Sequence, residues 1–140
     1  MKLNIKSIFI TGLITGLVIL ISGLSMIPLV GDQMNQILAN RGLPPLSNFA
    51  TIYIIFVSLC NGIFLVFLYA LLRPLWKSKT KAGIMAALIS FFMHYLLGNF
   101  AMVVYGFMPL NFTILGTVWG LGELLLGGIV ASKLYKEKTV

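Results

Sequence analysis

The chain has 140 residues, 59% of them hydrophobic and 9% charged, with a formal net charge of +7 and a mean hydropathy of +1.03. Soluble domains carry about 25% charged residues, so this composition cannot clothe a water-facing surface and points to a membrane protein. The basic residues stand at the ends of apolar runs, not along a face interleaved with aromatics, which argues against a nucleic-acid partner, and the single cysteine, Cys60, excludes a disulfide framework or a thiol pair within one chain.

Four apolar stretches follow one another at about 8–30, 49–72, 82–108 and 112–134. Each supplies the ~20 apolar residues that a helix needs to cross a hydrocarbon core of ~30 Å. Strands of this length would leave backbone groups unpaired in lipid. The expected fold is all-α: one membrane domain over residues 1–140, built as a four-helix up-down bundle. Lys2 and Lys6 precede the first stretch as in a signal peptide, but that stretch exceeds the roughly 7–15 residues of a signal-peptide core. It reads as a retained span.

Lysine and arginine set the expected orientation. Lys2, Lys6, Arg73, Lys77, Lys79, Lys81, Lys133, Lys136 and Lys138 fall on one side of the bundle, and Arg41 falls on the other. The positive-inside rule then places both termini in the cytoplasm, in keeping with a bacterial inner-membrane protein. Tyr69, Trp76 and Tyr135 sit where the inner aromatic belt belongs, and Tyr53 and Tyr105 suit the outer one. The basic loop with Arg73, Lys77, Lys79 and Lys81 suits anionic headgroups.

The outer loop, 31–48, is the longest. Asp32 could cap a short amphipathic surface helix that Gly42 ends and Pro44-Pro45 keeps from resuming; an irregular loop is the alternative. Pro109-Leu110-Asn111 makes a tight turn that sets the third and fourth spans antiparallel. Asn111 is a plausible N-cap for the fourth, and Asn111-Phe112-Thr113 also matches a glycosylation acceptor. A faint repeat links Gly12 with Gly83 and Leu68-Tyr69 with Leu134-Tyr135; a two-span unit would duplicate in parallel.

At about 100° per residue, small and polar residues gather on one stripe of each span. Gly12, Gly16 and Gly23 align in the first, Ser58 and Gly62 in the second, Gly83, Ser90, His94 and Gly98 in the third, and Gly116, Gly120, Glu123 and Gly127 in the fourth. Lipid gives helices no hydrophobic drive to associate, so close approach at small residues must supply the packing. Asn99 points away from its stripe and is expected to touch another copy or another protein.

Depth adds chemistry. Asn61, His94 and Glu123 all fall near the middle of their spans, with Thr15 close to that level. An acid there is expensive and needs a partner or a task. His94 and Glu123 lie on antiparallel neighbours and could meet as an ion pair or as a neutral hydrogen-bonded pair, with Asn61 or Ser90 taking the remaining donors. The group is then either a structural clasp or a site for a proton or substrate. One histidine cannot supply two axial haem ligands. No paired cysteines or carboxylate cluster suggests a metal, no nucleophile triad can be assembled, and no phosphate loop is present. No cofactor is expected, and an enzyme is the least supported class.

Gly42-Leu43-Pro44-Pro45, Leu68-Tyr69 followed by Arg73-Pro74, and Trp119-Gly120-Leu121 with Glu123 resemble features of a loose set of small four-span bacterial membrane proteins of unknown function. The resemblance implies fold and location and carries no activity. The chain departs from the small multidrug transporters, whose essential acid lies in the first span, and from the eicosanoid and glutathione membrane enzymes, whose arginine-rich signature is missing. Two functions remain open: a scaffold or accessory membrane subunit held by glycine packing, or an oligomeric transporter or proton-coupled channel using Glu123 and His94. Both imply a homo-oligomer or a larger complex.

Overall fold

The computed structural model describes residues 3–138, so Lys2, used above for orientation, lies outside the described residues. Helix α1 runs from Ile5 to Ala39 and α2 from Asn48 to Leu72. After a single 3-10 turn, Arg73–Leu75, the third long helix has three parts: α3 (Lys79–Phe91), a π turn (Phe92–Leu96) and α4 (Leu97–Val104). Helix α5 spans Leu110–Leu134. Four helices, Ile5–Ala39, Asn48–Leu75, Lys79–Val104 and Leu110–Leu134, are long and apolar enough to cross a membrane, and they pack as an antiparallel bundle.

Local chemistry marks the helix ends. The side chains of Asn4, Ser47 and Ser78 accept hydrogen bonds from the backbone N–H groups of Ser7, Ala50 and Lys81, satisfying donors that a first turn leaves free. Two helices end in the same glycine motif. Gly42 (φ +67°) and Gly106 (φ +73°) adopt the left-handed conformation that a Cβ disfavours. Leu43 N–H then returns to the Leu38 carbonyl and Phe107 N–H to that of Met102. Arg41 Nη2 donates to the Gly106 carbonyl at 2.6 Å and ties the two glycine turns together.

Two expectations about the loops are corrected. No separate surface helix begins at Asp32. Helix α1 continues through Pro28, Gly31 and Asp32 to Ala39, making it ~52 Å long at the ordinary helical rise. A proline costs the helix one backbone bond and a glycine about 1 kcal/mol, and neither alone stops a helix that propagates on both sides. The first effective stop is Gly42. The fourth span starts at Leu110 on an extended Pro109, whose carbonyl accepts from Thr113 N–H, so Asn111 lies inside the first turn and does not cap it.

Close approaches at glycine hold the helices together. A Cβ on Gly12 would stand 2.6 Å from Ile63 Cα, and one on Gly16 would stand 2.7 Å from Leu59 Cα. A Cβ on Gly62 would run into the Gly16 and Gly12 backbone. Helices α3 and α5 meet likewise at Gly83 and Gly128, each against the other's carbonyl. Gly128 was not singled out in the sequence. By contrast, Gly98 and Gly116 have nothing within 4 Å of a built Cβ, so neither packs a helix within this chain.

The interior is unevenly filled. Among the described residues, every buried one lies in 8–19, 62–70, 82–90 or 120–135, the half of the bundle that carries both termini. Leu65, Val66 and Tyr69 are wholly enclosed there. The chain ends are latched to each other: Lys136 N–H donates to Ser7 Oγ at 2.8 Å, Asn4 Nδ2 to the Lys136 carbonyl at 3.0 Å, and Arg73 Nε pairs with Glu137 Oε1 at 2.9 Å. In the opposite half, α4 has no buried residue and leans only on α5 and the π turn, and the helices splay.

The contrast between the glycines sets a test. Gly62→Ala should destabilise the bundle by at least about 1–3 kcal/mol, the usual range for overpacking. Gly98→Ala should be neutral or stabilise by up to about 1 kcal/mol, since alanine favours helix and nothing is displaced. Unfolding of the two variants in detergent, followed by circular dichroism, checks this.

Candidate functional site

The site begins with the π turn. Leu97 N–H bonds to the Phe92 carbonyl, five residues back instead of four. One extra residue in the turn rotates everything beyond it by about 100° relative to an unbroken helix. The inward face therefore reads Ser90, Tyr95, Asn99 instead of Ser90, His94, Gly98. Tyr95 is swung towards α5, and His94 and Gly98 are swung out.

Tyr95 Oη donates to Glu123 Oε2 at 2.7 Å. Its ring lies over Gly120, where a Cβ would collide with it, and stacks on Phe91 at 6.3 Å and 18°. Glu123 is 5% exposed. On its other side α1 passes at Gly23, where a Cβ would come within 3.2 Å of Oε1. Trp119, one turn earlier on α5, donates from Nε1 to the Ser22 carbonyl at 3.2 Å and holds α1 in that position. The acid is thus enclosed by a tyrosine hydroxyl, two glycines and a pinned helix. No Lys, Arg or His lies within ion-pairing distance of it among the described residues.

The carboxyl also lines two cavities flanking α1. The larger, about 300 Å³, lies between α1 and α2 and includes Gly23, Tyr53, Ser58, Asn61, Tyr95 and Glu123, with apolar walls from Ile19, Leu24, Ile27, Ile54 and Val57. The lining residues run over two turns of each helix, Ile19 to Ile27 and Tyr53 to Asn61, so the cleft is ~12 Å long, with Gly23 and the Glu123 carboxyl midway along its α1 wall. The second, about 290 Å³, lies between α1 and α5 and includes Ser22, Trp119, Gly122 and Glu123. The side chains of Asn61 and Ser58 make no hydrogen bond among the described residues, and the Trp119 indole, bonded at 3.2 Å to the Ser22 carbonyl, also stands against the Glu123 carboxyl.

Other residues singled out in the sequence lie elsewhere. His94 does not meet Glu123: it is exposed, its ring stands edge-on to Phe64 at 5.8 Å, and Nδ1 lies 3.3 Å from the Ser90 carbonyl oxygen. The expected pairing assumed uninterrupted helical periodicity, which the π turn breaks. Thr15 and Ser90 are buried, but Thr15 Oγ1 and Ser90 Oγ lack partners, as does Tyr69 Oη. Gly127 faces Leu65 at 2.8 Å and the Thr15 methyl at 3.2 Å, measured from a built Cβ. Asn99 does not point outward. Its Nδ2 donates to Thr117 Oγ1 at 2.9 Å, and Thr117 Oγ1 in turn donates to the Thr113 carbonyl.

Tyr95 is the residue that sequence reasoning missed. The signal was present: the other tyrosines fall near helix ends, and Tyr95 sits deep in an apolar run where its hydroxyl has no water to meet. Among the described residues, no three His, Cys, Asp or Glu side chains cluster as metal ligands would. The chain matches no protein family, no curated protein and no solved structure.

Tyr95→Phe removes one bond to a buried carboxyl and should lower stability by about 1–3 kcal/mol. Gly120→Ala should cost more, because the ring itself must move. His94→Ala, at an exposed position, should stay within about 0.5 kcal/mol of the parent. Denaturant titration in detergent, read by tryptophan fluorescence, separates the three.

Proposed function

We propose that the protein is a multi-pass bacterial inner-membrane protein with both termini in the cytoplasm, and that it binds and moves a small molecule or proton through the Glu123 cleft as part of an oligomer. The observation that supports this reading is a buried carboxyl with one oxygen held by Tyr95 and the other facing a cleft whose amide and hydroxyl groups are unspent. Intramembrane acids of this kind usually mark ion or substrate paths. The orientation rests on Lys6, Arg73, Lys77, Lys79, Lys81, Lys133, Lys136 and Lys138 clustering at the terminal end, with Arg41 at the other. That basic end would lie against anionic headgroups. Four helices do not enclose a pathway by themselves, so a second copy or another subunit would complete it.

A second reading, a scaffold or accessory membrane subunit, has its own support. The splayed half exposes large apolar side chains such as Phe49, Phe56, Phe100 and Val118, and Gly98 and Gly116 lie open to a neighbouring helix. In this reading Tyr95 and Glu123 are a clasp that orders the bundle.

One pair of variants divides the readings. In liposomes loaded with a pH-sensitive dye, Glu123→Gln should reduce proton flux at least tenfold if the cleft conducts or couples. Unchanged or absent flux removes proton conduction and proton coupling from the reading. Gly116→Leu, at a position where a Cβ has nothing within 4 Å in the chain, should then alter the oligomeric state or the set of co-purifying proteins if the protein is a scaffold. An unchanged assembly removes that reading as well.

A further inference from the structure

We infer that the Glu123 cleft selects a hydrophobic monocation, an organic ammonium with a short apolar tail. This rests on the binding reading above and names its ligand class. The cleft is shaped for two kinds of contact at once. Midway along it is the one acidic side chain on its walls, with Oε2 taken by Tyr95, Oε1 beside Gly23 and the Trp119 indole against the carboxyl from the α5 side. Asn61 stands on the facing helix with its amide unspent. From there to the splayed end the walls of α1 and α2 are chiefly aliphatic.

Each feature narrows the ligand. A carboxyl removed from water keeps its proton unless a cation takes the proton's place, and no cation among the described residues reaches Glu123, so an entering ammonium would displace that proton to the aqueous side and pair with the carboxylate it leaves. An ammonium has three N–H donors to place, and the cleft walls carry the Glu123 carboxyl and the Asn61 side-chain carbonyl as acceptors for them. An anion would meet the carboxylate head on. A neutral alcohol would gain only the apolar walls and one hydrogen bond. A volume of about 300 Å³ stands at the small end of ligand pockets, which run to roughly 1,000 Å³, so the tail must be short or extend along the cleft towards lipid. Gly23 makes the oxygen reachable, since any side chain there would crowd Oε1.

The test uses the full-length protein in dodecyl maltoside, with protein-free micelles as the blank. Isothermal titration compares n-hexylammonium with n-hexanol, which has the same tail and no charge. The parent should bind the amine saturably and at least tenfold more tightly than the alcohol. Glu123→Gln should erase that preference. Ile54→Trp, on the exposed rim of the cleft and clear of the Tyr95–Glu123 bond, should weaken the amine about tenfold, and it keeps the test valid if the Gln variant does not fold. Equal binding of amine and alcohol, both weakened by Ile54→Trp, would overturn the cation selectivity and leave the cleft a binding site. Amine binding indifferent to both substitutions would overturn the location. Saturable binding by neither probe would overturn the inference and count against the binding reading on which it rests.

Discussion

A carboxyl group enclosed among apolar helices has to find its hydrogen-bond partner within the protein, and Glu123 finds it in the hydroxyl of Tyr95 at 2.7 Å. That one bond accounts for several otherwise unrelated features. The third helix carries an extra residue in one turn, and without it His94 would face inward and Tyr95 would not reach α5. Gly120 has no side chain because the tyrosine ring lies there, and Gly23 has none because α1 crosses beside the second carboxyl oxygen. Trp119 fixes that crossing by bonding to the Ser22 carbonyl. A neutral residue at 123 would relieve all of these demands, so their coexistence is the sign that the acid is wanted where it is.

The acid also stands at a boundary. Towards the termini the helices interlock through Gly12, Gly16 and Gly62 on one seam and Gly83 and Gly128 on another. That half contains every buried residue described. Beyond the level of Glu123 the helices separate, α4 loses contact with all but α5 and the π turn, and the clefts open. The bundle is a closely packed base carrying a more loosely packed upper half, with the polar group at the junction of the two. Thr15, Ser90 and Tyr69 show the cost of dense packing: their hydroxyls are buried without partners. Each such group is destabilising by about 1–3 kcal/mol, which the close helix contacts must offset.

Much of this fold can be read from the residues. Four apolar runs bounded by lysine, serine, proline and glycine leave little choice but four antiparallel helices, and Glu123 draws attention because acids are rare in such runs. What could not be read has two physical causes. The first is the π turn. Nothing in Phe92-Met93-His94-Tyr95-Leu96 separates an i to i−5 bond from an i to i−4 bond, since both suit an apolar helix. The inward face beyond Ser90 therefore stands one residue on from where regular helical periodicity puts it: Tyr95 in place of His94, Asn99 in place of Gly98. The second is helix propagation. Asp32 resembles a cap in isolation, but a helix already running through Pro28 gains more by continuing to Gly42 than by stopping at a polar side chain. Glycine stripes likewise do not tell which glycines are pressed against a neighbour. Gly116 and Gly120 share a face and spacing, yet one lies open and the other lies under a ring.

A double-mutant cycle on Tyr95→Phe and Glu123→Leu, with unfolding free energies measured in one detergent, probes the bond on which the rest of the bundle turns. If the hydroxyl and the carboxyl depend on each other as the geometry has it, the two substitutions will couple by at least about 1 kcal/mol. Losses that simply add, to within about 0.3 kcal/mol, would mean that the two groups do not meet and that the acid is held by something else.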